Sequence, residues 1–474
     1  MEQKKILFGE WQPDQPSISG SVSDAINCFP VANGYAPVKS EADYSSAAAQ
    51  DLLITFAGKF AGASSLFAAG ATDIYKFDSS DASLDSVTST TYSTVTSWDV
   101  TQFGSKIILA NGQDKLQSYQ MGTSSVFANL ASAAPTAKFV TVVKDFVVAA
   151  NVSSNENRVY WSDINDETDW TPASTSQSDN QSLPDGGDIT GVAGGEFGLI
   201  FLERAIYRMT YSGSPFFFQF DAISRSQGCI SNGSITQYAG LTYFLADDGF
   251  YVCDGNSTKN IGVEKVNRWF FNNVIPSTIE TGMSATIDPF NKLAVWCFDN
   301  SFGGKYLLFY NIDLNKWSYA ETDATSISFG LTPSATLEQI DNYNNNIDTL
   351  DTSLDSRVWA GGNLLFTGVR SNKIISFSSS PKAAYVSTSD IDVGQSVITL
   401  ARPIVNNGIG SVATSARKLI SDSVEFETAI SPDAENRVSL RSNGRYHRLK
   451  INPTSDNWDT IVGVDINIVG QGIR

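Results

Sequence analysis

The chain has 474 residues, 42% of them hydrophobic and 11% aromatic, which excludes global disorder and supplies a core for two or three domains or one repeat array. Its formal net charge is −18, from 50 Asp and Glu against 32 Lys and Arg. A surface of that sign repels phosphate and excludes a sequence-reading DNA binder, though not a wall past which DNA slides without sticking.

The first 45 residues read as an extended arm. GEWQPDQPSISGSVSDAINCFPVANGYAPVKS carries Pro13, Pro16, Pro30 and Pro37 with little periodicity, and such a segment forms no core of its own. It is expected to run over the body or to reach a neighbour. The N-terminus has charge but no apolar run of signal-peptide length, so synthesis without export is expected. LLITFAGKFAGASSLFAAG, 52 to 70, is apolar, yet Lys59 and the glycines interrupt it, so no membrane insertion is expected.

A two-strand phrase then recurs: an apolar run, a polar turn, and an alternating run rich in Tyr, Phe and Ile. It appears at 65–78, 106–120, 145–163, 197–211, 241–255 and 292–317, and SRVWAGGNLLFTGVRSNKIISF (356–377) is a seventh candidate. Asn-Gly, Asp-Gly and Gly-Gly pairs sit where hairpin turns need positive φ, flanked by β-branched and aromatic residues. The phrases recur roughly every 40 to 60 residues, near the blade length of a β-propeller. One hairpin cannot bury its own apolar face, so neighbouring hairpins must cover it. The expected fold is therefore all-β: an irregular β-propeller of six to seven blades over 46–380. A large β-sandwich with long loops is the alternative.

Two stretches inside this region resemble ligand sites. In RVYWSDINDETDW (158–170), Asp163, Asn165, Glu167 and Asp169 alternate like the first half of a calcium loop. Thr168 stands where the sharp turn needs glycine, and Ser174 where a bidentate Glu belongs. An inter-strand loop anchored by Trp170 is expected instead. The glycine-rich GDITGVAGGEFG (187–198) precedes a strand and has no following helix, so it reads as turns between blades rather than a phosphate cradle.

One helix interrupts the β pattern near 335–355. Leu337, Ile340, Ile347, Leu350 and Leu354 form an apolar stripe at spacings of three and four, opposite a face of Asp, Asn and Thr. It packs either on its own domain or against an adjacent subunit. Beyond residue 380 strongly alternating segments predict a C-terminal β-sandwich over 381–474. This region holds a basic cluster of Arg437, Arg441, Arg445, Arg448 and Lys450. The cluster is either the solvent face of a hairpin turning at Asn443-Gly444 or, through Arg441, Arg445 and Arg448, a contact with an acidic partner face.

No constellation for catalysis, cofactor or metal emerges. Cys28, Cys229, Cys253 and Cys297 lack CxxC spacing and read as buried thiols. The single histidine, His447, lies on a predicted strand between Tyr446 and Arg448 and reads as structural. Carboxylate pairs are the one catalytic option left, and 50 acidic residues make such pairs uninformative without geometry. The chain is expected not to be an enzyme and to carry no cofactor.

Several stretches resemble a family. They are FGEWQPDQP with NCFPVANGYAPV, LERAIYRMTYSGSPFFFQFDAISRSQGC, DDGFYVCDGNSTKNIGVEKVNRWFF, DPFNKLAVWCFDN followed by LLFYNIDLNKWSYAE, LDTSLDSRVWAGG and RSNGRYHRLKI. In that order they are similar to tail nozzle and packaged-DNA stabilisation proteins of short-tailed bacteriophages. The resemblance implies a structural virion protein, assembled in the host cytoplasm as a ring of commonly six copies below the portal and its adaptor. Such a ring contacts other tail proteins and extends a channel through which double-stranded DNA passes without sequence-specific binding. It carries no catalytic residues over. The competing reading is a receptor- or carbohydrate-binding propeller of the virion, an adhesin or glycosidase-like protein.

Overall fold

Each of the seven hairpin phrases forms the middle of a four-stranded antiparallel unit. The phrase at 106–120 becomes strands Lys106–Ala110 and Gln117–Gln120, and that at 241–255 becomes Leu241–Ala246 and Gly249–Cys253. Second strands are the most buried, except in the last blade, where Leu364–Arg370 is only half-buried: Gly198–Leu202 is buried throughout, and Phe146–Val152 at every residue but Asn151. Such strands read as unbroken apolar runs because a neighbouring unit covers each face. The first strands are more polar and half-buried, as in Asp99–Phe103, and they face the axis.

The computed structural model describes residues 2–18, 22–334, 361–454 and 456–471. Six of the four-stranded sheets are free-standing blades of a β-propeller. The first five span 52–86, 99–129, 137–182, 189–224 and 236–260, and the last is built on 326–381. The meander 284–322 fills the ring between the fifth and last blades, and its outer strand runs on into a larger sheet. First strands of all seven units line one axial cavity, so the ring holds six free blades and one fused blade.

The arm closes the ring. Strand β1 is Glu2–Leu7, β2 is Val22–Ile26, β3 is Cys28–Val31, β4 is Gly34–Pro37 and β5 is Lys39–Asp43. Strand β5 supplies the fourth strand of the last blade, pairing Ile375 with Asp43 and Phe377 with Glu41. Between first and last blades, Thr367 Oγ1 lies 3.2 Å from Thr55 Oγ1 and 3.0 Å from Ser328 Oγ, and Thr55 also bonds Ser328. The Ser326 hydroxyl donates to the Leu53 carbonyl at 2.6 Å.

The sequence reading divides the chain at 45 and 380, and hydrogen bonding crosses both points. A 13-stranded sheet starts in the fused blade, passes through β2 and strand Tyr385–Thr388, and continues into the long strands Val438–Pro453, Ile391–Asn406 and Thr460–Gly470 before reaching β4 and β3. Strand β1 pairs along Thr460–Gly470. One apolar cluster joins Trp11 of the arm, Phe250, Trp296 and Trp317 of the blades, and Ile398, Val412, Leu449 and Ile466 of the C-terminal strands. Burial of each such side chain contributes about 1.5 to 3 kcal/mol.

Sequence expectations change at the predicted turns. Asn443-Gly444 is not a hairpin turn, because strand Val438–Pro453 runs straight through it. Gly444 serves close strand approach: a Cβ there would lie 2.9 Å from both the backbone N and O of Arg417. In GDITGVAGGEFG, residues Ile189–Ala193 are the first strand of a blade, and only the glycines after them turn. The predicted helix near 335–355 lies outside the described residues. In the 241–255 phrase the turn is Asp247-Asp248, one residue before the Asp-Gly pair: Gly249 pairs with Ala246 as the first residue of the next strand, has φ +145°, and a Cβ there would fall 1.9 Å from the Asn267 side-chain nitrogen.

Candidate functional site: the axial channel and the basic face

The first strands enclose a cavity of about 1070 Å³ on the propeller axis. Five carboxylates line it (Asp99, Glu156, Asp188, Glu203 and Glu280) together with the ammonium groups of Lys138 and Lys305. Lys138, on the third blade, reaches Glu280, which precedes the fused blade, at 3.3 Å. This pair bridges different blades across the channel wall. Both side chains are well exposed to the cavity, so its contribution to stability is small. Lys305 is held by Asp299 at 2.8 Å and donates to the Gly282 carbonyl at 3.2 Å.

Asp99 is the most perturbed carboxyl of the channel. Burial pushes it up to about 6, against bonds from Val140 N–H, the Asn232 side chain and Val100 N–H that favour the charged form. The Val140 bond is 2.9 Å and stitches the second blade to the third. An acid in that range exchanges a proton near neutral pH, which is what general acid–base work requires. Here its oxygens are engaged by backbone and amide donors, so the arrangement ties blades together. Among the described residues no group of three or more His, Cys, Asp or Glu side chains converges on a metal position.

The calcium-like loop spends its acids locally. Asp163 accepts the Gln177 N–H at 2.7 Å, Asp166 the Thr168 N–H at 2.9 Å, and Asp169 the Thr171 N–H at 3.0 Å. Glu167 pairs with Lys106. Trp170 is buried, and its indole N–H donates to the Glu167 carbonyl at 2.8 Å. All four cysteines are free and buried. His447 is fully buried, its Nδ1 3.1 Å from Ser442 Oγ and its Nε2 3.1 Å from the Gly444 carbonyl. Burial lowers its pKa, so the neutral ring is favoured.

The basic face is largely self-satisfied. Arg448 grips Asp390 through two bonds of 2.7 and 3.0 Å, and Arg417 pairs with the same carboxylate. Arg445 pairs with exposed Asp392 at 3.0 Å, and Arg437 with Asp433 and Glu435. Arg441 is exposed and makes no ion pair among the described residues. Of the three arginines read as partner contacts, Arg448 is structural, Arg445 is tethered within the chain, and Arg441 alone points free. Leu337, Ile340, Ile347, Leu350 and Leu354 lie outside the described residues.

Sequence reasoning missed the partners of these arginines. Asp390 and Asp392 sit two residues apart in SDIDVGQS, one just before strand Ile391–Asn406 and one on it, and that spacing was the available signal. It missed β5 as well, since KSEAD shows no apolar alternation.

No protein-family model matches the chain, and no curated protein matches it. Among solved structures, the chain is similar to the computationally designed Ika8 protein, at 9% identity over 78% of this chain and 99% of that one, with a TM-score of 0.36. A likeness of that size carries no functional argument.

Proposed function

We propose that the chain is a structural virion protein of a tailed phage. In this reading, copies form a ring of the tail tube or nozzle, commonly six, that extends the DNA channel below the portal adaptor and helps retain packaged DNA until ejection. The observation that supports it best is the continuity of the wall: arm, fused blade and C-terminal strands share one 13-stranded sheet, and β5 locks the ring shut. A body closed in this way resists shear without needing a reactive centre.

The DNA path in this reading lies between copies, not through one propeller, whose axis is a cavity of about 1070 Å³ crossed by the Lys138–Glu280 pair. The net charge of −18 suits a wall that does not hold phosphate. Phe216, Phe290 and Phe302 stand 80%, 73% and 81% exposed on blade turns, and Arg441 is free on the C-terminal face. These are groups that neighbouring copies, the adaptor or other tail proteins would cover.

The test is a particle assembled without this chain. The reading expects heads that package DNA and then lose it, seen as nuclease-sensitive genome, with protection restored when the purified chain is added. Particles that retain nuclease-resistant DNA without it overturn the reading.

A further inference from the structure

The arm, the fused blade and the C-terminal strands meet at a second cavity, of about 390 Å³, that none of the roles above uses. Its walls are aromatic. Trp269, on the helix Asn267–Asn273, packs 4.9 Å from both Trp11 and Tyr319, centroid to centroid. Tyr385 and Phe426 line the other side.

Two opposite charges sit among these rings without pairing. Asp24, on β2, accepts the Tyr319 hydroxyl at 2.8 Å and the Tyr385 hydroxyl at 2.7 Å. Lys450 holds its ammonium 4.3 Å from the Tyr385 ring centre and 4.8 Å from that of Phe426. Among the described residues Lys450 makes no ion pair, on a chain where acids outnumber bases 50 to 32. Aromatic faces hold a cation in place while leaving its donors free. Arg448, also in the lining, is engaged by Asp390, whose carboxylate it shares with Arg417.

The ligand class follows by elimination. A simple cation would face Lys450, and a simple anion would face Asp24. A purely apolar ligand would bury the Lys450 ammonium without a hydrogen-bond acceptor. Vicinal hydroxyls answer both, because each donates to a carboxylate and accepts from an ammonium. A pyranose ring carries such hydroxyls at its edge and C–H groups on its faces, which match the aromatic walls. The volume falls within the roughly 300 to 1,000 Å³ of small-molecule pockets. We propose that this pocket binds one pyranose unit of a saccharide. The inference is independent of the tube reading and gives the carbohydrate-binding alternative a definite address.

The experiment titrates the full chain with methyl glycosides of glucose, galactose, N-acetylglucosamine and glucuronic acid. Saturation-transfer NMR and tryptophan fluorescence are the readouts. At least one glycoside is expected to bind, with affinity reduced at least tenfold in Lys450→Gln and in Phe426→Ala. A second measurement needs no variant: acylation of Lys450, read by mass spectrometry, slows at least threefold with the bound glycoside, while acylation of exposed Lys418 does not change. Failure of all four to bind, or binding that leaves Lys450 acylation unchanged, overturns the proposal.

Discussion

Lys382 and Glu41 lie 341 residues apart in the chain and meet at 2.7 Å beside the blade that closes the ring. The same carboxylate accepts the Thr322 hydroxyl from the fused blade at 2.6 Å. Two residues on, Asp43 takes Lys373 at 2.6 Å and also Arg370. The N-terminal arm is thus fastened to two blades by charge as well as by strand pairing.

Glu41→Gln should loosen this closure. The carboxylate is 7% exposed and Lys382 12% exposed, so a loss of about 2 kcal/mol is expected. Burial raises the Glu41 pKa, but the bonds from Lys382 and Thr322 outweigh it and hold the group below 4.5. A depressed acid stabilises above its unfolded pKa and loses that contribution as pH falls through its folded one. Thermal melts between pH 7 and 3 should therefore fall more steeply for the natural chain than for the variant.

Asp390→Asn should cost more. The carboxylate is fully buried between Arg417 and Arg448, and its removal leaves two guanidinium groups without a counter-charge. The expected loss is about 3 to 5 kcal/mol. Burial opposes its ionisation, yet the two arginines and Ser17 bring it down to about 2. Its contribution is complete above about pH 4 and disappears as pH falls toward 2, which urea titrations across that range measure.

Asp99→Asn should act in the opposite sense. Burial raises Asp99 to about 6, so the natural chain has this contribution in full below pH 3.8 and loses it as pH rises through 6. The variant keeps a neutral acceptor for Val140 and avoids that loss. It should be more stable by about 2 kcal/mol at pH 7.5 and indistinguishable at pH 3.5. Denaturant midpoints at the two pH values check both halves.

The sequence revealed the blades through their second strands. KIILA and GLIFL are covered on both faces, so burial wrote an apolar run into them. First strands such as DVTQF and the closing strand KSEAD carried no such mark, because one faces a polar channel and the other is an edge. Asn443-Gly444 misled because glycine answers two needs, positive φ and close backbone approach, and only coordinates separate them. The arginine contacts were half legible: the basic cluster was visible, but the acids that bind Arg445 and Arg448, Asp392 and Asp390, come from a segment more than fifty residues away in the chain.

Gly444→Val tests the second need directly. A side chain there meets Arg417 backbone at 2.9 Å, so the strands must part. The expected cost is about 1 to 3 kcal/mol, read as a lower thermal midpoint. An unchanged midpoint would show that the strands have room.

The central claim is that copies of this chain make an axial wall. Electron cryo-microscopy of the intact particle tests it most directly. The account predicts density for these propellers in a closed ring on the tail axis, below the portal adaptor and around the DNA path. Density for them in peripheral spikes, or none in the particle at all, would contradict it.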